Sequence, residues 1–200
     1  MKKTIGIIGA GAIGKTLARH FAQAGHQVWL SNSRTPESLA DAVQELGENV
    51  KATTPLEAAN ADLVVLSVPW QNLEAAVQAV PNWQGKIVID ANNHLLAATR
   101  QLVDLGGKTS SEVVAALLPG ARVVKAFNTL YYKVLEQAPR EPGGSRVLFL
   151  SGDDVAAKQA VSDLMAEVGF APVDLGSLVD GGKLQQIGAS LATLNLLKKA

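Results

Sequence analysis

The sequence predicts an α/β fold in which a doubly wound, mostly parallel sheet carries helices on both faces and ends in a small C-terminal αβα extension. Two observations carry this expectation. Short β-branched runs alternate with longer stretches of helical spacing through the first two thirds of the chain, the pattern of successive βαβ units. Strands such as Leu63-Val64-Val65-Leu66 are apolar without a break, as parallel strands covered on both faces must be.

Taken in order, strands are expected near residues 4–8, 27–31, 62–68, 86–90, 122–127 and 146–150. The first helix spans 12–24, with Leu17, Phe21 and Ala24 on one face, and Gly25 closes it. The second spans 36–46, with Leu39, Val43 and Leu46 aligned, Pro36 in its first turn and Thr35 as its N-cap. Pro139-Arg140-Glu141-Pro142-Gly143-Gly144-Ser145 is the segment densest in Pro and Gly, the best place for a boundary. It divides residues 1–138 from an extension over 145–200, packed on the same core and offering a dimer contact. In that extension a helix over 153–168, a strand near 171–174 and a last helix over 179–198 are expected, the last aligning Leu184, Ile187, Leu191 and Leu194.

Composition narrows the function. Eighteen Lys and Arg balance eighteen Asp and Glu in 200 residues, so no broad field favours nucleic acid or an anionic membrane. The absence of cysteine excludes disulfide scaffolds, thiolate zinc sites and Cys nucleophiles, and suits a reducing, cytoplasmic setting. No run approaches the roughly 20 apolar residues of a membrane span. No spacing of His, Asp and Glu suggests a metal, and no GxSxG or Ser-His-Asp pattern is visible. A small-molecule ligand is the expected partner.

Gly9-Ala10-Gly11-Ala12-Ile13-Gly14 fits GxGxxG between an apolar strand and an amphipathic helix, the setting in which that pattern means dinucleotide binding. The fold is therefore of Rossmann type. Gly9 permits the tight turn, Gly11 lets the backbone approach a pyrophosphate, and Gly14 lets helix and strand pack closely. The helix N-terminus adds free N–H groups and partial positive charge. Without a ligand the same residues are merely a glycine-rich turn.

An NAD enzyme places Asp or Glu about 20 residues after the glycines, on the ribose 2′-OH. Here the second strand ends Ser31-Asn32-Ser33-Arg34, with no acid before Glu37. The Arg34 guanidinium and the Ser33 hydroxyl suit a 2′-phosphate, so NADP(H) is the expected cofactor; a solvated Arg beside a capping hydroxyl is the plainer alternative. Val68-Pro69-Trp70, with Asn72 opening the next helix, leaves a strand where a cofactor ribose is walled; Trp70 itself reads as a packing residue. Asp90-Ala91-Asn92-Asn93-His94 and Asn128-Thr129, with Tyr131-Tyr132, reach the same edge. His94 and Asn128 are the substrate candidates, although a loop His with free rotamers and an ordinary pKa is more often structural. Strand alternation alone does not orient Lys125, and a Lys snorkelling from the sheet is a common outcome. The tyrosine pair either walls a planar ring or covers the core. His20 and His26 read as structural, and no residue is assigned a catalytic role.

The residues resemble those of the NADPH-dependent reductases of the deazaflavin coenzyme F(420) and their relatives, over nearly the whole chain. The resemblance rests on Gly9 to Gly14, Ser31 to Arg34, Val68 to Trp70 and Val123-Val124-Lys125-Ala126-Phe127-Asn128-Thr129. It continues in Ser151-Gly152-Asp153-Asp154 and in Gly169-Phe170-Ala171-Pro172-Val173-Asp174-Leu175-Gly176. It implies a small homodimeric enzyme moving hydride between nicotinamide C4 and C5 of a deazaflavin. Cofactor contacts would fall on Ala10, Gly11, Ala12, Ile13, Ser33, Arg34, Val68, Asn72, Asn93 and Tyr132. Ser38 stands where a Lys assists the 2′-phosphate, and Asn92-Asn93-His94 departs from a more apolar loop. Such chemistry needs orientation rather than a strong acid or base. Three functions follow as expectations: hydride transfer between NADP(H) and a deazaflavin or flavin-like acceptor, reduction of another small substrate or ferric chelate, or a non-catalytic NADP(H) redox sensor.

Overall fold

The computed structural model describes residues 2–199. Its strands and helices are, in order, β1 (Thr4–Ile8), α1 (Ala12–Gln23), β2 (Gln27–Ser31), α2 (Ala40–Leu46), β3 (Val50–Ala52), α3 (Pro55–Ala58), β4 (Leu63–Leu66), α4 (Leu73–Gln78), β5 (Ile87–Asp90), α5 (Ser110–Leu117), β6 (Arg122–Ala126), α6 (Tyr132–Leu135), β7 (Arg140–Glu141), β8 (Gly144–Gly152), α7 (Val155–Val168), β9 (Ala171–Asp174), α8 (Asp180–Gln185) and β10 (Leu197–Lys198). The first six strands lie in the order β3-β2-β1-β4-β5-β6, all parallel. This is the Rossmann order, whose switch point falls between β1 and β4.

The predicted strands are all present, with ends moved by a residue or two. β3 was not anticipated, being only three residues long with Lys51 in its middle. The helix expected over 36–46 divides into a 3-10 turn at Pro36–Leu39 and α2, because Leu39 leaves helical geometry at ψ +4°. The segment 139–145 is a hairpin, in which β7 pairs antiparallel with the start of β8.

β8 joins the sheet antiparallel to β6 through Val124↔Gly152, Lys125↔Ser151 and Ala126↔Leu150, while β9 runs parallel to it. The helix expected over 179–198 is a correction: only Asp180–Gln185 is α-helical. Gln186 turns extended at ψ +156°, Gly188 and Thr193 take positive φ, and each breaks the i→i−4 ladder. The freed chain donates from Thr193 N–H to the Thr129 carbonyl and ends as β10 on the edge of β8. Satisfying that strand edge outweighs helical propensity in the last residues. The aligned face of Leu184, Ile187, Leu191 and Leu194 therefore does not form; Leu191 packs against Val147, Phe149 and Ala171, while Leu184 and Leu194 are exposed.

Two hydrophobic layers sandwich the sheet. One joins α1, β1, β2 and α7 around Phe21, Phe127 and Phe170; the other joins β4, α4 and α5 around Leu66, Trp83 and Leu118. Burying such side chains contributes about 1.5–3 kcal/mol each, enough to hold rigid the carboxyl edge on which the polar residues stand.

Candidate active site

A cleft of about 960 Å³ opens at the switch point. Ile8 to Gly11 form its floor, Ser67 to Pro69 one wall and Asn32 to Arg34 the other, with Asn72 and Ala76 beyond. The floor is shaped by the absence of side chains. Gly9 has φ +115°, and a Cβ there would meet the Ser67 carbonyl oxygen at 1.9 Å; a Cβ on Gly14 would meet the Gly9 carbonyl at 1.9 Å. A Cβ on Gly11 would meet no protein atom within 4 Å, so that position faces open space. Gly9 N–H donates to the Ser31 carbonyl at 3.0 Å and the Ser31 hydroxyl to the Ile7 carbonyl at 3.0 Å, which ties the turn to β2. Gly11 is the N-cap of α1 and offers no side chain to its first-turn N–H groups. These groups are open to a ligand.

On the opposite wall Asn32 organises the loop. Its Oδ1 accepts from Arg34 N–H at 2.8 Å, and its Nδ2 donates to the Ser38 hydroxyl at 3.0 Å, which itself donates to the Thr35 carbonyl at 2.6 Å. Ser33 and Arg34 are exposed. Donors on a helix N-terminus and a guanidinium on the far rim match the pyrophosphate and 2′-phosphate of NADP in chemical kind.

The residues expected at the nicotinamide side occupy different ground. Asn93, His94, Asn128 and Tyr132 do not line this cleft. Asn93 and Asn128 bond each other, Asn128 Nδ2 to Asn93 Oδ1 at 3.2 Å and Asn93 Nδ2 to the Asn128 carbonyl at 3.1 Å. Asn128 Nδ2 also donates to the Gln185 carbonyl at 2.8 Å. Phe127, at φ +62° and held edge-on between Phe21 and Phe170, sets the turn that delivers Asn128 inward. His94 is buried rather than free, packed edge-on to Trp70; burial, and then the charge of Lys125, hold its pKa below the ordinary imidazole value. Tyr131 and Tyr132 are exposed with ring centroids 4.7 Å apart, so they do not cover the core.

The orientation of Lys125, which strand alternation leaves open, is set by the fold. Lys125 does not snorkel: both it and Asp90 are 0% exposed, with Nζ to Oδ2 at 3.1 Å. Its ammonium also donates to the Asn92 carbonyl at 3.0 Å. Asp90 further accepts from the Ser111 hydroxyl and, through Oδ1, from Asn92 N–H at 3.0 Å and Asn92 Nδ2 at 2.9 Å. Asn92 Oδ1 in turn takes Val68 N–H at 2.8 Å. A buried ion pair thus ties the ends of β5 and β6 to the Val68 wall of the cleft. The readable trace was an Asp and a Lys, each at the C-terminal end of a mainly apolar strand. Lys15, Asp41 and Glu45, which also line the cleft, gave no signal beyond a polar helix face. Among the described residues no three His, Cys, Asp or Glu side chains gather as for a metal, and no helix is long and apolar enough to cross a membrane.

Residues 4–94 match the family described as NADP oxidoreductase, coenzyme F(420)-dependent. The chain is 28% identical over 184 residues to metalloreductase STEAP3 of Rattus norvegicus, covering 92% of this chain and 36% of that protein. It is 29% identical over 204 residues to the F(420)-dependent NADP reductase of Methanothermobacter thermautotrophicus, covering 94% and 87%. A solved structure of a hypothetical protein from Sinorhizobium meliloti superposes with a TM-score of 0.93 at 46% identity, over 100% and 97% of the two chains. The chain thus spans little more than a third of the metalloreductase it matches, and most of the methanogen reductase.

Proposed function

We propose, for a chain whose residues 4–94 match the coenzyme F(420)-dependent NADP oxidoreductase family, that it binds NADP(H) in the switch-point cleft and moves hydride to or from a deazaflavin or flavin-like acceptor. The observation that carries the reading is the pairing, across one cleft, of an uncapped helix N-terminus at Gly11 with Ser33 and Arg34. The first suits a pyrophosphate and the second a 2′-phosphate, with Ala10, Ala12 and Ile13 completing the turn and Val68, Pro69 and Asn72 the wall. When bound, NADPH supplies a hydride from nicotinamide C4, becoming NADP⁺ as the acceptor gains two electrons and a proton. This chain contributes orientation: the Lys125–Asp90–Asn92 clamp holds the Val68 wall, and no side chain need act as an acid or base.

Equal affinity for NADPH and NADH would exclude the cofactor reading. Oxidation of NADPH by oxidised deazaflavin, but not by riboflavin, FMN or ferric chelates, is the expected acceptor profile. The similarity to a metalloreductase favours a second reading, reduction of a ferric chelate, which the same assay would reveal by reversing that order. In both readings residues 145–200 extend the core of 1–138, and two copies pair through the extension; sedimentation across a concentration series tests the pairing.

A further inference from the structure

The cleft holds a cation that the glycine turn and the Ser33–Arg34 loop do not account for. Lys15 follows Gly14 on α1, is exposed, and lines the same cleft as Arg34 and Ser38. Arg19, one turn further along α1, shows where this face of the helix points: its Nη2 lies 2.7 Å from Glu45 Oε1 on α2. Side chains four apart share a helix face, and α1 and α2 both follow strands of the parallel sheet and so run the same way. Lys15 is therefore level with Asp41, four residues before Glu45, at the end of α2 nearest Arg34. Yet among the described residues Lys15 makes no ion pair within 4.0 Å with Asp41 or any other carboxylate, whereas Arg19 is engaged by Glu45 and Glu136.

The charge at this rim requires such a group. A phosphate monoester carries about −1.5 to −2 at neutral pH, and the walls add the carboxylates of Asp41 and Glu45, of which only Glu45 has an Arg beside it. Arg34 alone does not offset that total. Ser38 supplies no charge, and its hydroxyl is already bonded to Asn32 and the Thr35 carbonyl.

Resting on the NADP reading above, we propose that Lys15 is a specificity-determining residue: its ammonium meets the 2′-phosphate from the α1 side while Arg34 meets it from the β2 side. The 2′-phosphate is held between α1 and the loop after β2 rather than by that loop alone.

The test uses fragments that differ only in that phosphate. Calorimetric titration of the whole protein with 2′,5′-ADP and with 5′-ADP is expected to give the Lys15→Gln variant roughly five- to twentyfold weaker affinity for 2′,5′-ADP, with 5′-ADP unchanged. The affinity of the variant for 2′,5′-ADP should also depend less on salt than that of the wild type, and Lys15→Arg should retain both properties. Because the side chain is exposed and unpaired, the melting temperature of Lys15→Gln should match the wild type, so a binding loss is not a folding loss. An equal loss for both ligands would assign Lys15 to the pyrophosphate side, and no loss for either would leave it a solvated lysine; each overturns the proposal while the NADP reading stands. A wild type that fails to prefer 2′,5′-ADP over 5′-ADP overturns the NADP reading and this proposal together.

Discussion

The two ends of the carboxyl edge hold polar groups in opposite ways. Around Gly11, Ser33 and Arg34 the groups are exposed, sparsely bonded and turned towards open space. Around Asp90, Asn92, Lys125 and Asn128 they are buried and bonded mainly to one another. In the first region a mutation should change what the protein binds. In the second it should change whether the edge holds its shape, because a buried charge without its partner has no water to turn to.

The largest expected effect tests the buried region. Lys125→Met leaves the Asp90 carboxylate uncompensated and should cost roughly 3–5 kcal/mol of unfolding free energy, read by urea denaturation. Adding Asp90→Asn should recover part of that loss, since no orphan charge then remains. A loss of under about 1 kcal/mol for the single variant would match an exposed ion pair and erase the contrast.

Gly11→Val tests the open region. Because a Cβ at Gly11 meets no protein atom within 4 Å, the variant should melt close to wild type while nucleotide binding falls by about 100-fold or more, near 2.7 kcal/mol. Gly14→Ala should behave in the reverse manner, with its Cβ driven against the Gly9 carbonyl and about 1–3 kcal/mol of stability lost. If both glycines behaved alike, the floor would not be divided into a packing side and a ligand side.

Arg34→Ala removes a single charge-assisted contact. It should weaken NADPH by roughly 10- to 150-fold, about 1.5–3 kcal/mol, and leave NADH nearly unchanged in parallel titrations. An equal loss for both nucleotides would move Arg34 from the 2′-phosphate to the adenine or the pyrophosphate.

The smallest effect is the pH dependence. Burial is the largest cause lowering the pKa of His20, His26 and His94, so each is lower in the folded chain than the unfolded value of about 6.5. The unfolded chain then binds more protons as pH falls through about 6.5, and stability declines from there towards the lower folded values. Thermal melts from pH 7.5 down to 5 should show that decline, and His94→Leu should make it shallower. A flat profile over the range would mean these imidazoles are more solvated than their packing implies.

Much of the open region was legible before the fold was known. The order strand, glycine turn, helix is local, and so is the absence of an acid after Trp29-Leu30. Gly9, Gly11, Arg34 and Val68 are legible as candidates because the reading of each rests on the conformation or chemistry of its own few residues, and all four line the cleft. Lys15 carries no such local signal, since the role proposed for it rests on Arg19 and Glu45 meeting across two helices. The nicotinamide-side cluster is expected to be open, but Asn93 and Asn128 bond each other and His94 is buried against Trp70, while Tyr132 stays exposed.

Residue order by itself determined β1, β2, β4, β5 and β6 of the parallel core and the strand–glycine turn–helix at Gly9–Gly14, because periodicity and turn chemistry operate over neighbouring residues. Only the tertiary structure decided that Lys125 faces Asp90 and that the C-terminal segment abandons its helix for the edge of β8. In the first case strand register brings together groups 35 residues apart. In the second, unpaired backbone groups on a strand edge outweigh the helical spacing of a few leucines.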